Sequence, residues 1–280
     1  MSRRFAAGAA LSTAVVLSLT GCLGESDSGG DAAGGGAQLT AAQVLQKTSE
    51  KTSQTKSFAA DISAQGTEGG EAVRMRGNMR FQADPPAFSM SFDEMNVGGQ
   101  TVPGGMQMVV VDQAFYMKMP ALTQLTGGKP WMKVTAKEIQ AGGGDVKELT
   151  QQGDQFNLQL LTKILTASKD AKAVGTENVG GVQTTHFTGT FSEQEALSAL
   201  TPEERKQAES ILDTDGEKVG FDLWVDDQQL PRKLTLKSLP GAKDQMTMTM
   251  VFRDYSKPVQ ITPPPADQVG KASSQGLGGT

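Results

Sequence analysis

The chain of 280 residues contains one cysteine and one histidine. A single cysteine excludes an intrachain disulfide and a thiolate-rich metal site. Basic residues are in short supply too: 26 Lys and Arg against 31 Asp and Glu leave a formal net charge of −5, with no basic footprint for a nucleic-acid partner. Aromatic side chains are only 5% of the sequence, so any large apolar surface must be built from other residue types. No Gly-x-Ser-x-Gly elbow, phosphate-cradling loop or His-Glu-x-x-His pair occurs. The chain therefore reads as non-enzymatic, and no cofactor or metal is implied. The apolar run at residues 6–19 falls short of the roughly 20 residues that a membrane-spanning helix needs.

What that run does have is context. Arg3 and Arg4 precede it, and Leu19-Thr20-Gly21-Cys22 closes it. A basic start, a short apolar core and small residues before the cut make a signal peptide. The last four residues resemble the bacterial lipobox, in which the cysteine thiol takes a diacylglycerol and becomes the first residue after cleavage. The lone cysteine thereby acquires a specific role. Residues 1–21 are expected to be removed and Cys22 to carry the lipid, placing the protein on the outer face of the cytoplasmic membrane. Ser2-Arg3-Arg4-Phe5 leaves two export routes open, a twin-arginine signal or an ordinary basic start. Two or more acyl chains make a stable anchor, since each buried CH₂ contributes about 0.8 kcal/mol. Residues 22–38, rich in Gly, Ser and Asp, cannot bury a core and read as a flexible tether.

Beyond the tether roughly 225 residues remain to fold, enough for one large β-rich domain or two small ones; a single domain is expected over 39–262. Thr40 with Gln43 makes a capping-box pattern at the start of a helix running to about Thr55. The period then changes to two: Val73, Met75, Met79 and Phe81 alternate with Arg74, Arg76, Asn78 and Arg80. Phe88, Met90 and Phe92 repeat the pattern, as do Met106, Met108 and Val110, then Phe115, Met117 and Met119. Asp84-Pro85-Pro86, Gly98-Gly99 and Asp112-Gln113 supply the turns. Short links between alternating strands imply antiparallel pairing. Helices are expected at 135–140, at 154–168 (Phe156, Leu160, Ile164 and Leu165 on one stripe) and at 193–213, where Pro202 opens a second segment. Strands are expected at 171–178, 182–191, 218–225, 230–239 and 244–255, followed by a disordered tail over 263–280. Asp213-Thr214-Asp215-Gly216 and Asp226-Asp227 read as turns. The fold class that results is α+β: one strongly curved antiparallel sheet of about ten strands, a half-barrel with helices covering its concave face.

The apolar face of that sheet is unusual in composition. Of the 13 methionines, ten lie at alternating positions: Met75, Met79, Met90, Met106, Met108, Met117, Met119, Met246, Met248 and Met250. Methionine is unbranched and polarisable and suits surfaces that must fit varied apolar partners. Such a face can line a cavity for acyl chains or simply pack against the helices. The Met-x-Met pairs also offer thioethers of the kind that suit Cu(I), although no second histidine accompanies them. His186 lies on the face opposite Phe187, Gly189 and Phe191, and is expected to point to solvent.

With this layout the chain resembles the LppX/LprA/LprF/LprG lipoproteins of actinobacteria. The resemblance is carried by the lipobox at Cys22, the small-residue tether, and an opening helix followed by Ser57-Phe58. It continues through Val225-Asp226 and Leu230-Pro231-Arg232-Lys233-Leu234 to Phe252, Tyr255, Pro258-Val259 and Pro263 to Pro265. It implies a half-barrel similar to the LolA/LolB carriers, an apolar or glycolipid ligand held between sheet and helices, and no catalytic residues. A membrane lipid transporter is a further partner compatible with that role. The residues expected to line the cavity are Met75, Met79, Phe81, Met90, Phe92, Met106, Met108, Val110, Phe115, Met117, Phe221, Leu223, Met246, Met248, Met250 and Phe252. The methionine-heavy face and the loops at Gly98-Gly99, Gly104-Gly105 and Gly142-Gly143-Gly144 depart from the family pattern, so the resemblance does not name the cargo. A module without lipid cargo, contacting envelope proteins through sheet edges or loops, is the alternative.

Overall fold

The computed structural model describes residues 39–135, 137–138, 157–208, 212 and 216–271. The signal and tether segments lie outside these residues, as do residues 136, 139 and 140 of the expected helix at 135–140, residues 154–156 of the next, and Asp213 to Asp215.

The first described helix, α1 (Ala41–Ser53), starts where its capping box dictates: Gln43 N–H donates to Thr40 Oγ1 at 3.3 Å and Thr40 N–H donates to Gln43 Oε1 at 2.9 Å. The chain then enters a meander of β1 (Ser57–Glu68), β2 (Glu71–Ala83), β3 (Pro86–Val97), the short β4 (Gln100–Thr101), β5 (Met106–Val111), β6 (Ala114–Lys118) and β7 (Trp131–Thr135). The β1–β2 and β5–β6 hairpins turn through positive-φ residues, Gly69-Gly70 and, without glycine, Asp112-Gln113 at φ 53° and 57°. Helix α2 (Leu158–Leu165), capped by the Asn157 side chain, leads to β8 (Lys172–Val179) and β9 (Val182–Phe191). Two short helices, α3 (Glu193–Ser198) and α4 (Pro202–Ala208), precede β10 (Val219–Val225), β11 (Pro231–Ser238) and β12 (Met246–Arg253). A last short strand, β13 (Val269–Lys271), closes the described chain.

All of these strands join one sheet. Its order is β13-β7-β6-β5-β3-β2-β1-β12-β11-β10-β9-β8, with β4 added beside β3. The sheet is curved and unclosed, with β8 and β13 at its two edges. The first strand to form after α1 sits in the middle, bonded on one side to β2 and on the other to β12. It thus joins a limb built before α2 to a limb built after it. The α+β half-barrel expected from the alternation is the architecture observed, with thirteen strands among the described residues rather than about ten.

Two differences have clear causes. The segment after Arg253, expected to be disordered from 263, instead crosses the outside of the sheet, and β13 pairs parallel to β7. Ile261 and Val269 pack there against a second apolar cluster of Ala87, Val111, Ala114, Tyr116 and Trp131. Prolines 263 to 265 suit an extended strap as well as they suit disorder. The second difference is His186. Its ring is on the outer face, as expected, but is only 14% exposed. Its Nδ1 lies 3.0 Å from Glu177 Oε1 and its Nε2 lies 2.9 Å from Asp222 Oδ1. The ring also stacks on Trp224 at 4.2 Å. Cross-strand neighbours on β8 and β10, invisible to a single-strand pattern, cover it.

Among the described residues no helix is long and apolar enough to cross a membrane.

Candidate functional site

Register turns the alternating residues into cross-strand rows on the concave face. Met79 faces Met90, Met90 faces Met108, Met108 faces Met117, and Met117 faces Met132. Five methionines from five adjacent strands therefore form one ladder. Beside it runs an aromatic row, Phe58–Phe81–Phe88–Val110–Phe115–Val134. On the other side is a third row, Met95–Met75–Ala64–Met248–Leu236–Phe221.

Fifteen of the sixteen expected lining residues belong to one apolar cluster, together with Val44 and Leu45 of α1 and Leu160, Leu161, Ile164 and Leu165 of α2. Within it Met79, Met90, Phe92, Met108, Phe115, Phe221, Leu223, Met250 and Phe252 are buried, whereas Met75, Phe81, Met106, Val110, Met117 and Met248 are half-buried. The sixteenth, Met246, stands outside the cluster and lines a recess of about 600 Å³ where the ends of β1, β2 and β12 meet. The face thus has a packed interior and an accessible rim along the Met75/Met248 row and Met106. Helix α1 lies against α2, and a buried hydrogen bond of 2.7 Å joins Thr52 and Thr162 across that contact.

Two residues that the alternation did not place on this face belong to the rows. Met95 reaches it because β3 carries one extra residue: Gly77 pairs with Phe92 and Arg76 with Glu94, so Asp93 is skipped. The bulge reverses the parity of everything after it. The signal was Gly77, where a Cβ would lie 2.0 Å from the carbonyl oxygen of Ser91. Met132 lies on β7, a strand hidden between Pro130 and the residues after Thr135. Met119, by contrast, falls just beyond β6. Leu19, Thr20, Gly21 and Cys22 lie outside the described residues.

The outer face of the sheet carries charged pairs. Asp222 accepts from Lys237 Nζ at 2.6 Å and contacts His186. Burial alone would raise its carboxyl pKa, but Lys237, His186 and Thr188 together bring it below the ordinary carboxylate value. Asp226, whose side chain is 1% exposed, receives Gln228 N–H, Leu230 N–H and the Arg232 guanidinium, tying off the β10–β11 hairpin. Among the described residues no group of three or more His, Cys, Asp or Glu is placed to hold a metal ion.

An open antiparallel sheet with helices over a continuous apolar concave face defines the class of half-barrel proteins. Within that class, solved relatives share the architecture over most of their length. LprF from Mycobacterium bovis matches 80% of this chain and 96% of its own at TM-score 0.52 and 16% identity. Lipoprotein LppX of Mycobacterium tuberculosis matches 79% of this chain and 98% of its own at TM-score 0.50 and 13% identity. Residues 159–261 match the LppX/LprAFG lipoprotein family, and this part of the chain carries that family's pattern. Residues 40–179 match DUF6612, a family of unknown function, so the first half of the chain carries that membership as well. Among curated relatives, the putative lipoprotein SCO4650 of Streptomyces coelicolor is 26% identical over 165 residues, 58% of this chain and 49% of that protein. The lipoarabinomannan carrier protein LprG of Mycolicibacterium hassiacum is 30% identical over 106 residues, 38% of this chain and 40% of that protein. The chain spans about half the length of the curated relatives it matches.

Proposed function

We propose that this chain is an exported envelope lipoprotein, lipidated on Cys22 after loss of residues 1–21 and tethered through residues 22–38. The domain that follows holds an apolar, multi-acylated lipid against its concave face and is not an enzyme. The observation that carries this reading is the half-buried rim of Met75, Met106, Met117 and Met248, continuous with a buried methionine ladder. A rim of unbranched, polarisable side chains adapts to flexible chains of varied shape. The match of residues 159–261 to a lipoprotein family, and the similarity to a named lipoarabinomannan carrier, support the same reading. The interior is close-packed, so full uptake of acyl chains requires α1 and α2 to shift together away from the sheet. The Thr52–Thr162 hydrogen bond makes the pair a natural moving unit.

Native mass spectrometry of a soluble form with Cys22 replaced, produced in a host of its own kind, tests the proposal. Adducts of lipid mass that extract into organic solvent are expected. Met248→Glu should lower adduct occupancy at least about tenfold, because a carboxylate at the rim must be desolvated by any bound acyl chain. Far-ultraviolet circular dichroism should stay unchanged, since Met248 is already half-exposed. Lipid occupancy equal to wild type in that variant would count against the concave face. A persistent apo mass after added lipids would favour a second reading, docking of an envelope protein along a sheet edge. That reading has support in β8, exposed along nearly its whole length with Val174 57% exposed.

A further inference from the structure

The outer face carries a second feature that the acyl-chain reading does not use. Three adjacent strands present two register rows there: Arg76–Ser63–Thr249 and Arg74–Gln65–Thr247. These six side chains outline a groove of about 250 Å³. Arg74 and Arg76 form its wall on β2, Ser63 and Gln65 its floor on β1, and Thr247 and Thr249 its wall on β12. Among the described residues neither arginine has an ion pair or side-chain hydrogen bond, and Ser63, Gln65 and Thr247 have no side-chain partner either. Thr249 shares a 3.1 Å hydrogen bond with Thr235 and keeps acceptor capacity. The nearest carboxylate by register is Glu94, opposite Arg76 on β3, and it pairs with neither guanidinium. Asp61, one row along, is taken by Arg253 at 2.7 Å. In a chain of net charge −5, two cations left unpaired side by side over a floor of small polar residues are not part of a general basic field.

We infer that this groove is an anion site for the phosphate of a polyol phosphate. Guanidiniums two residues apart on one strand, about 7 Å between Cα atoms, can both reach one phosphate, and their planar donor forks match its oxygens. The mutual repulsion of the two arginines is relieved when the anion binds. The hydroxyls and the Gln65 amide offer both donors and acceptors, as hydroxyl groups of a sugar or polyol require. No aromatic ring lines the groove, so a nucleoside base has nothing to stack on. The volume lies just under the range of about 300–1,000 Å³ typical of drug-sized ligands, which suits a single head group. Arg74, Gln65 and Thr247 also line the larger recess at the end of the sheet.

Isothermal titration of the full chain in a zwitterionic detergent, with glucose 1-phosphate as probe, tests the site. Saturable binding is expected, weakening as salt is raised, with no binding of glucose. The double variant Arg74→Gln/Arg76→Gln should lose about tenfold or more in affinity. Arg80→Gln, on the same strand face but outside the groove, should stay within about twofold, and Glu94→Gln should bind about two- to threefold tighter, because a nearby competing charge is gone. Both arginines are exposed, so the variants should melt like wild type. The proposal does not rest on lipid occupancy of the concave face: Met248→Glu should leave glucose 1-phosphate binding unchanged. Absence of saturable binding, or equal affinity in the double-arginine variant, would overturn the site. Displacement of the probe by phosphatidylglycerol mixed micelles, but not phosphatidylcholine ones, assigns the phosphate to a lipid head group. Failure to displace assigns it to a soluble ligand, and the site stands in both cases.

Discussion

The two limbs that meet at β1 line one concave face with different side chains. On β9 to β11 the inward residues include Phe187, Phe221, Leu223 and Leu234, none more than 3% exposed, and only Leu236 and Val219 at the margin are half-buried. On β2 to β6 they are mostly methionine, and Met75, Met106 and Met117 remain half-buried beside the buried Met79, Met90 and Met108. Leucine and phenylalanine have few, well-defined rotamers and specify one packing; methionine has three soft torsions and specifies several. The difference assigns rigidity to β9 to β11 and adaptability to the methionine-bearing strands, β12 with Met248 among them. It also explains why a chain with so few aromatic residues can still build a large apolar face.

The sharpest way to break this contrast is to hollow out the rigid limb. Phe221 is fully buried, and its ring fills the space above Gly189, where a Cβ would stand 2.8 Å from it. Phe221→Ala should lose about 3–5 kcal/mol, the cost of a large cavity that cannot collapse, read as a drop in the urea midpoint with little change in slope. A loss under about 1 kcal/mol would mean that this limb also repacks freely, and the contrast would fail.

In the adaptable limb the expected effect is smaller and of another kind. Met90→Leu/Met108→Leu replaces two adjacent rungs of the ladder with branched side chains of similar volume. Stability should move by less than about 1.5 kcal/mol. The range of lipid masses retained in native mass spectrometry should narrow, because stiffer rungs accept fewer chain shapes. An unchanged lipid range would leave the ladder a packing device and nothing more.

The same contrast governs how much could be read beforehand. Where large and polar residues alternate without interruption, as in Val73 to Phe81 or Met246 to Phe252, the sequence displays strand, face and limb at once. It goes quiet where side chains are small or the register slips. The central strand β1 turns Ala60, Ile62 and Ala64 inward, an alternation too weak in hydrophobicity to announce the strand that joins both limbs. Met95 was lost to the bulge opposite Gly77. Strand β13 was lost because pairing with β7 depends on Trp131 and Tyr116 gathering an apolar patch on the outer face, a fact of the fold rather than of the local segment. The histidine reading failed for the same reason, since Glu177, Asp222 and Trp224 come from neighbouring strands. The division of the methionine face into interior and rim depends on where α1 and α2 lie, and no periodicity encodes that.

Acid provides the mildest test, because the limbs also differ in their charges. Among the described residues the carboxylates held below their ordinary values, Asp170, Glu195, Glu204, Asp222 and Asp254, all come after α2 in the chain. Asp222 is the one set into the sheet, bridging β9 through His186 and β11 through Lys237. Its folded pKa lies below the unfolded value, so its contribution is fully present above that value, near 3.9. It fades as pH falls from there through the folded pKa. Asp222→Asn should therefore melt below wild type at neutral pH, and the two melting curves should converge below about pH 4, once the wild-type carboxyl takes its proton. If the gap between the melting temperatures stayed constant down to about pH 3, below the ordinary carboxylate range, the Asp222 bridge would be acting through shape alone. The later limb would then owe its rigidity to Phe221, Leu223 and Leu234 without electrostatic help.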